Sequence, residues 1–204
     1  YIGGLTPSGS NVATLFSTGK YIQAANVYNY SNLVYNNVLY YPLTTTITPP
    51  YTFSFWFKIN TNWIAVNANQ PNPYFSGIFR AQNAVAFNAR GQSASSIGLN
   101  FLVYDSTGAN RGGSNTNNIL DTVNWTFMCI VITSSLITIY TQKDGASQVI
   151  STFTPSAGAT FNQSVSAIGS LFGGNPGAAG GTSPPFDGLI DDLRIYSAAL
   201  SAAQ

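Results

Sequence analysis

The sequence predicts an all-β chain, a sandwich or a barrel, and three observations carry that expectation. Apolar residues recur at every second position rather than at helical spacing. The apolar runs are short, and Gly-, Asn- and Ser-rich turns separate them. Charged residues make up 6% of the chain and aromatics 14%, so a packed core is expected and a disordered chain is not. A length of 204 residues suits one all-β domain, taken here as residues 1–204.

Taken in order, Val12 to Phe16 and Tyr21 to Ala24 predict the first strands, with a turn at Ser17-Thr18-Gly19. Tyr51 to Ile59 alternates cleanly: Phe53, Phe55, Phe57 and Ile59 on one face, Thr52, Ser54, Trp56 and Lys58 on the other. Strands follow at Ser76 to Ala81, Val85 to Asn88 and Ile97 to Tyr104, the last ending in the turn Asp105-Ser106-Thr107-Gly108. Trp125 to Thr133 is apolar on both faces and predicts a strand buried on both sides. Ser134-Ser135 then predicts a hairpin into Leu136 to Thr141, and Lys143-Asp144-Gly145 a further turn. Gln148 to Phe153, Val165 to Ile168 and Gly188 to Tyr196 complete the strands. The last breaks alternation near Asp191-Asp192, where a β-bulge is expected. One helix is predicted, over the Ala-rich Ser197 to Ala203 with Ser197 as N-cap. Asn60 to Tyr74, Asn110 to Asn118 and Gly169 to Pro185 read as loops.

Composition excludes whole classes of chemistry. There is no His and no Glu, and all six acidic residues are Asp. A Ser-His-Asp triad, a Cys-His pair and an ordinary zinc site are therefore ruled out. Seven Lys plus Arg against six Asp supplies no basic field, so no nucleic-acid partner is expected. Cys129 is alone and forms no disulfide framework. The longest apolar run, Phe127 to Ile132, falls far short of the roughly 18–20 residues of a membrane span. With Tyr1 in place of Met, the expectation is a piece excised from a longer chain or a processed product.

Four segments stand out in order: Tyr51-Thr-Phe-Ser-Phe-Trp-Phe-Lys-Ile59, Asn124-Trp-Thr-Phe-Met-Cys-Ile-Val-Ile132, Ile137-Thr-Ile-Tyr-Thr-Gln-Lys-Asp-Gly145 and Phe186-Asp-Gly-Leu-Ile-Asp-Asp-Leu-Arg-Ile-Tyr196, the last followed by Ala199-Leu200-Ser201. Together they resemble the laminin-G-like domains of the concanavalin A-like jelly-roll superfamily. The resemblance implies a two-sheet antiparallel jelly-roll sandwich, closed here by the short C-terminal helix.

Some members of that superfamily are glucanases, and the resemblance raises that activity. Retaining hydrolysis needs two carboxylates about 5–5.5 Å apart. This chain has no Glu and no Asp pair spaced along one strand face, so no enzyme is expected and no catalytic residue is assigned. The resemblance also implies calcium at the sandwich rim. Asp105, Asp121 and Asp187, each at a predicted strand end, are the candidate ligands, beside the plainer reading of Asp105 as a turn former. For a glycan, exposed rings flanked by amides are the expected chemistry. Trp63, Asn72, Tyr74 and Phe75, in and beside an Asn-rich loop, are the candidates, against their use as packing anchors. Cys129 reads as a small buried hydrophobe. The functional expectation is a non-catalytic recognition or adhesion module at an extracellular or virion surface, with a glycan or a protein as partner. The alternative is a structural, capsid-associated or spike component of a large virus particle, packed against neighbouring subunits.

Overall fold

A computed structural model describes residues 15–21, 23–27, 39–59, 75–81, 85–93, 96–112, 114–115, 122–171 and 188–203. The described residues form thirteen strands. In chain order these are β1 (Leu15–Thr18), β2 (Gln23–Val27), β3 (Leu39–Ile47), β4 (Tyr51–Ile59), β5 (Phe75–Ala81), β6 (Val85–Ser93) and β7 (Ser96–Val103). They continue with β8 (Ser114–Asn115), β9 (Thr126–Ile132), β10 (Ile137–Lys143), β11 (Val149–Phe153), β12 (Val165–Leu171) and β13 (Gly188–Tyr196). Seven of them hydrogen-bond in the order β1-β2-β13-β4-β9-β10-β11, and six in the order β3-β12-β5-β6-β7-β8. The pairings within both sheets are antiparallel.

The alternation in β4 explains its central place. Phe53, Phe55, Phe57 and Ile59 are almost wholly buried, while Trp56 and Lys58 on the opposite face are partly exposed. Register carries the same division across the sheet. Phe53 faces Ile130 of β9, which faces Ile139 of β10, and all three are buried. The core reaches the second sheet where Phe101 of β7 meets Phe153 of β11, ring centroids 6.2 Å apart. Backbone bonds between connecting segments add to that contact: Ser106 N–H donates to Thr160 O at 2.8 Å and Phe161 N–H to Ser134 O at 2.8 Å. Gly112 approaches β7 so closely that a Cβ there would overlap the carbonyl of Phe101, which leaves glycine as the residue that fits.

Several expectations are corrected. Ser197 to Ala203 is not helical; it runs as bends and a turn. Seven residues are too few to carry a helix without tertiary support, and here the tertiary contacts favour another path. The buried Thr52 hydroxyl donates to Ala198 O at 2.7 Å and accepts from Leu200 N–H at 3.1 Å, strapping the segment across β4. Strand β9 is buried on both sides only toward its end: Thr126, Met128, Ile130 and Ile132 are buried on one face and Val131 on the other, but Phe127 and Cys129 on that second face are half-buried. Cys129 is therefore no core residue. Gly169 to Leu171 belong to β12 rather than to a loop, and Ser114–Asn115 form a short edge pairing with β7 inside the expected Asn110 to Asn118 loop. The bulge near Asp191-Asp192 is present: pairing with β4 shifts between Asp191 and Arg194, and Asp192 takes a φ of 50°.

Replacing Thr52 with Val keeps a β-branched side chain but leaves Leu200 N–H and Ala198 O without this partner. Ala198 is exposed and Leu200 only partly buried, so the expected loss is that of ordinary hydrogen bonds, about 0.5–1.5 kcal/mol of unfolding free energy, seen as a lower urea midpoint at unchanged m-value.

Candidate functional site

The residues on the outward face of the seven-stranded sheet are positioned by register. One row runs Trp56 (β4), Phe127 (β9), Gln142 (β10). The next, two residues along, runs Arg194 (β13), Ser54, Cys129 and Tyr140. Because side chains alternate with period two, these rows share one face while the phenylalanines between them enter the core. The two rows floor a groove of about 380 Å³. Tyr21 and Asp192 line it toward the β1–β2 side, Gln148 toward β11, and Tyr196 with Leu200 to Ala202 at the strapped C-terminal end.

Aromatic rings dominate the floor. Trp56 lies 5.1 Å from Phe127 between centroids, and Tyr21 meets Trp56 edge-on at 6.2 Å. Tyr21 is 63% exposed, so the edge of this cluster is open to solvent. Ile150 of β11, beside Tyr140 in register and 56% exposed, extends the apolar character to the sheet edge.

The charges around the groove are paired. Lys20 Nζ sits 2.6 and 2.7 Å from the two carboxylate oxygens of Asp144 and 4.6 Å from the Trp56 ring centroid. The bulge turns Asp192 so that its Oδ1 accepts from Arg194 Nε at 2.8 Å. Bonding to Asp192 and Tyr196 raises the guanidinium pKa even above its ordinary value, so Arg194 stays charged. Asp191 accepts from the backbone N–H of Tyr21 at 3.0 Å, tying the β1–β2 turn to β13. Burial pushes the Cys129 thiol up to about 11, which keeps it protonated and a poor nucleophile near neutral pH.

Of the residues singled out from sequence, Trp63, Asn72, Tyr74, Asp121 and Asp187 lie outside the described residues. Phe75 opens β5, opposite Arg90. Asp105 is wholly buried at the end of β7. Its Oδ1 accepts from Thr107 N–H at 2.9 Å, Thr107 Oγ1 at 2.5 Å and Ala109 N–H at 3.2 Å, and its Oδ2 from Ser156 N–H at 2.9 Å. A carboxylate offers about four lone-pair sites, and protein donors fill them. Those hydrogen bonds, from Ser156 and Thr107 foremost, hold the carboxyl well below the usual carboxylate range. Among the described residues no three of His, Cys, Asp and Glu come together as a metal cluster.

The groove itself was not anticipated from sequence, although a signal was there. Trp56 interrupts the polar face of its strand, and Phe127 and Cys129 form a second apolar face on a strand with only one core to enter.

With the geometry in view, the comparison with known proteins is direct. Residues 16–204 match the model of the Laminin_G_3 family, of the concanavalin A-like lectin/glucanases superfamily. The chain belongs to this family. The family's fold accounts for the two antiparallel sheets and for the four strand motifs. No curated protein sequence matches the chain. Among solved structures, the botulinum neurotoxin serotype G binding domain is similar at a TM-score of 0.54 and 13% identity, covering 98% of this chain and 45% of that one. A heptameric SAP-like pentraxin of Limulus polyphemus gives 0.48 and 14%, covering 79% and 71%. An alginate lyase of Aplysia kurodai gives 0.47 and 11%, covering 89% and 85%. At 13% identity the likeness to the botulinum domain is one of fold alone.

A prediction follows for Asp105. Its folded pKa is depressed, so its contribution to stability is present above the unfolded carboxylate value of about 3.9 and fades as pH falls below that value. Asp105→Asn should lower the thermal midpoint at pH 7 by several degrees, and the gap to the unsubstituted chain should narrow as the pH is brought from about 4 toward 2.

Proposed function

We propose that the chain is a non-catalytic recognition module, one jelly-roll unit, that works at an exterior surface and takes an uncharged glycan in the groove on its seven-stranded sheet. The observation that carries this reading is the Trp56–Phe127 row with Tyr140 beside it, open at Tyr21 and flanked by Gln142, Gln148 and Ser54. Rings offer flat apolar faces to the C–H surface of a sugar, and amides and hydroxyls match its alcohols. The paired state of Lys20 and Arg194 supports an uncharged ligand over an acidic one. Asp192 is the single carboxylate among the described residues that line the groove, and Arg194 holds it. That arrangement supports recognition rather than the two-carboxylate chemistry of hydrolysis. Among the described residues no helix is long and apolar enough to cross a membrane.

The segment bearing Trp63, Asn72, Tyr74 and Phe75 is proposed as a second contact surface, for a glycan or a protein. Calcium at the rim, through Asp121 and Asp187, belongs to the same proposal; Asp105 would have to give up protein donors to join them.

A glycan array and affinity electrophoresis test the reading. Trp56→Ala and Tyr140→Ala should each weaken retention about tenfold, the equivalent of 1.4 kcal/mol, with unchanged far-ultraviolet circular dichroism. Loss in Trp63→Ala alone would move the site to the Asn-rich segment. A chain that retains no glycan and instead assembles with itself or with particle subunits would favour the structural alternative.

A further inference from the structure

We infer that Lys20 and Asp144 form an ionic clasp between two turns over the seven-stranded sheet, which holds Trp56 in place on the grooved face. Lys20 follows β1 in the turn that leads to β2, and Asp144 lies in the turn after β10. In the sheet order, β13, β4 and β9 stand between β2 and β10. Four inter-strand steps span about 19 Å in a flat sheet. An extended Lys and an Asp in contact span no more than about 12 Å between their Cα atoms, from bonds near 1.5 Å. Yet Lys20 Nζ is within 2.7 Å of both Asp144 oxygens. The turn that carries Lys20 therefore reaches inward over β13 toward β4, as the Tyr21 contacts with Asp191 and Trp56 also show, and meets Asp144 on the face that carries the groove.

Two further contacts make the clasp specific to Trp56. The Lys20 ammonium lies 4.6 Å from the indole centroid, a cation–π distance. Next along the chain, Tyr21 closes on the same ring edge-on and anchors its own N–H to Asp191. Trp56 is thus held by Lys20 above, Tyr21 at its edge and Phe127 beside it. Lys20 and Asp144 side chains are 25% and 36% exposed, so salt reaches the pair. Opening the clasp frees the indole in the groove floor. Ionic strength then regulates the groove even for a ligand that carries no charge, an effect that direct charge recognition would not produce. That last step rests on the groove being the recognition surface; the clasp itself does not.

The test reads the clasp without any ligand. In a Trp63→Phe, Trp125→Phe background, acrylamide quenching of fluorescence reports on Trp56. Lys20→Met and Asp144→Asn should each raise the open fraction about two- to fivefold, the range for a pair of this exposure. The double variant should go no further than the larger single effect, and the exchange Lys20→Asp with Asp144→Lys should restore protection. About 1 M NaCl, where the screening length is about 3 Å, should increase quenching in the parent and leave Lys20→Met unchanged. Where the background variants do not fold, the salt titration is compared between the unsubstituted chain and Lys20→Met alone, and the difference between the two reads the clasp at Trp56. Equal quenching in Lys20→Met and its parent, or an equal salt response in both, overturns the clasp. Absence of glycan retention alongside the expected quenching would count against the proposed function and leave the clasp standing.

Discussion

Period-two alternation along β4, at the centre of the seven-stranded sheet, is the constraint on which the rest depends. Phe53, Phe55 and Phe57 cannot leave the core without exposing three of the largest buried side chains of the described residues. A slip of one residue would send them to solvent and bring Trp56 and Ser54 inward. The register with β9 and β13 is therefore pinned by the core, and the outward row follows from it. The groove is the consequence on one face of a packing decision made on the other.

Three departures from regular sheet geometry turn that face into a shaped surface. The bulge at Asp191-Asp192 re-aims two carboxylates, one toward the Tyr21 backbone and one toward Arg194. The Thr52 hydroxyl fixes the segment after β13 as a wall. Lys20 and Asp144 join two turns over Trp56. Two of these devices draw on the scarce charged groups of a chain that is 6% charged, the third on a hydroxyl, and all three lie on the outward face of the same sheet. On the far side, Asp105 spends its carboxylate on three neighbouring residues, a structural role that keeps the β7 turn against Ser156.

Strong local patterns were legible in the sequence, and tertiary consequences were not. Tyr51–Ile59 and Gly188–Tyr196 were bounded to the residue, since their alternation is long and their flanks carry turn signals. β3 was missed because Pro42 argues against a strand; it sits at the edge of its sheet, where a residue without an N–H is tolerated. The Ala-rich end looked helical because propensity is local, whereas the Thr52 contacts that decide its path come from 146 to 148 residues away. The second apolar face of β9 looked like core, because composition does not distinguish a ring packed under a second layer from a ring flooring a groove. Asp105 was legible as a turn former from Asp-Ser-Thr-Gly, though its bond to Ser156 was not.

Alkylation of Cys129 measures the central claim most directly, because that thiol lies in the groove floor between Ser54 and Tyr140. At a pH near 9, where some thiolate forms below a pKa of about 11, the rate of modification is followed with and without a saturating amount of an array-selected glycan. Protection of the thiol, with the label in turn blocking glycan retention, is what a ligand seated on this face produces. An unchanged rate, with the labelled chain still retaining the glycan, would place recognition elsewhere on the molecule.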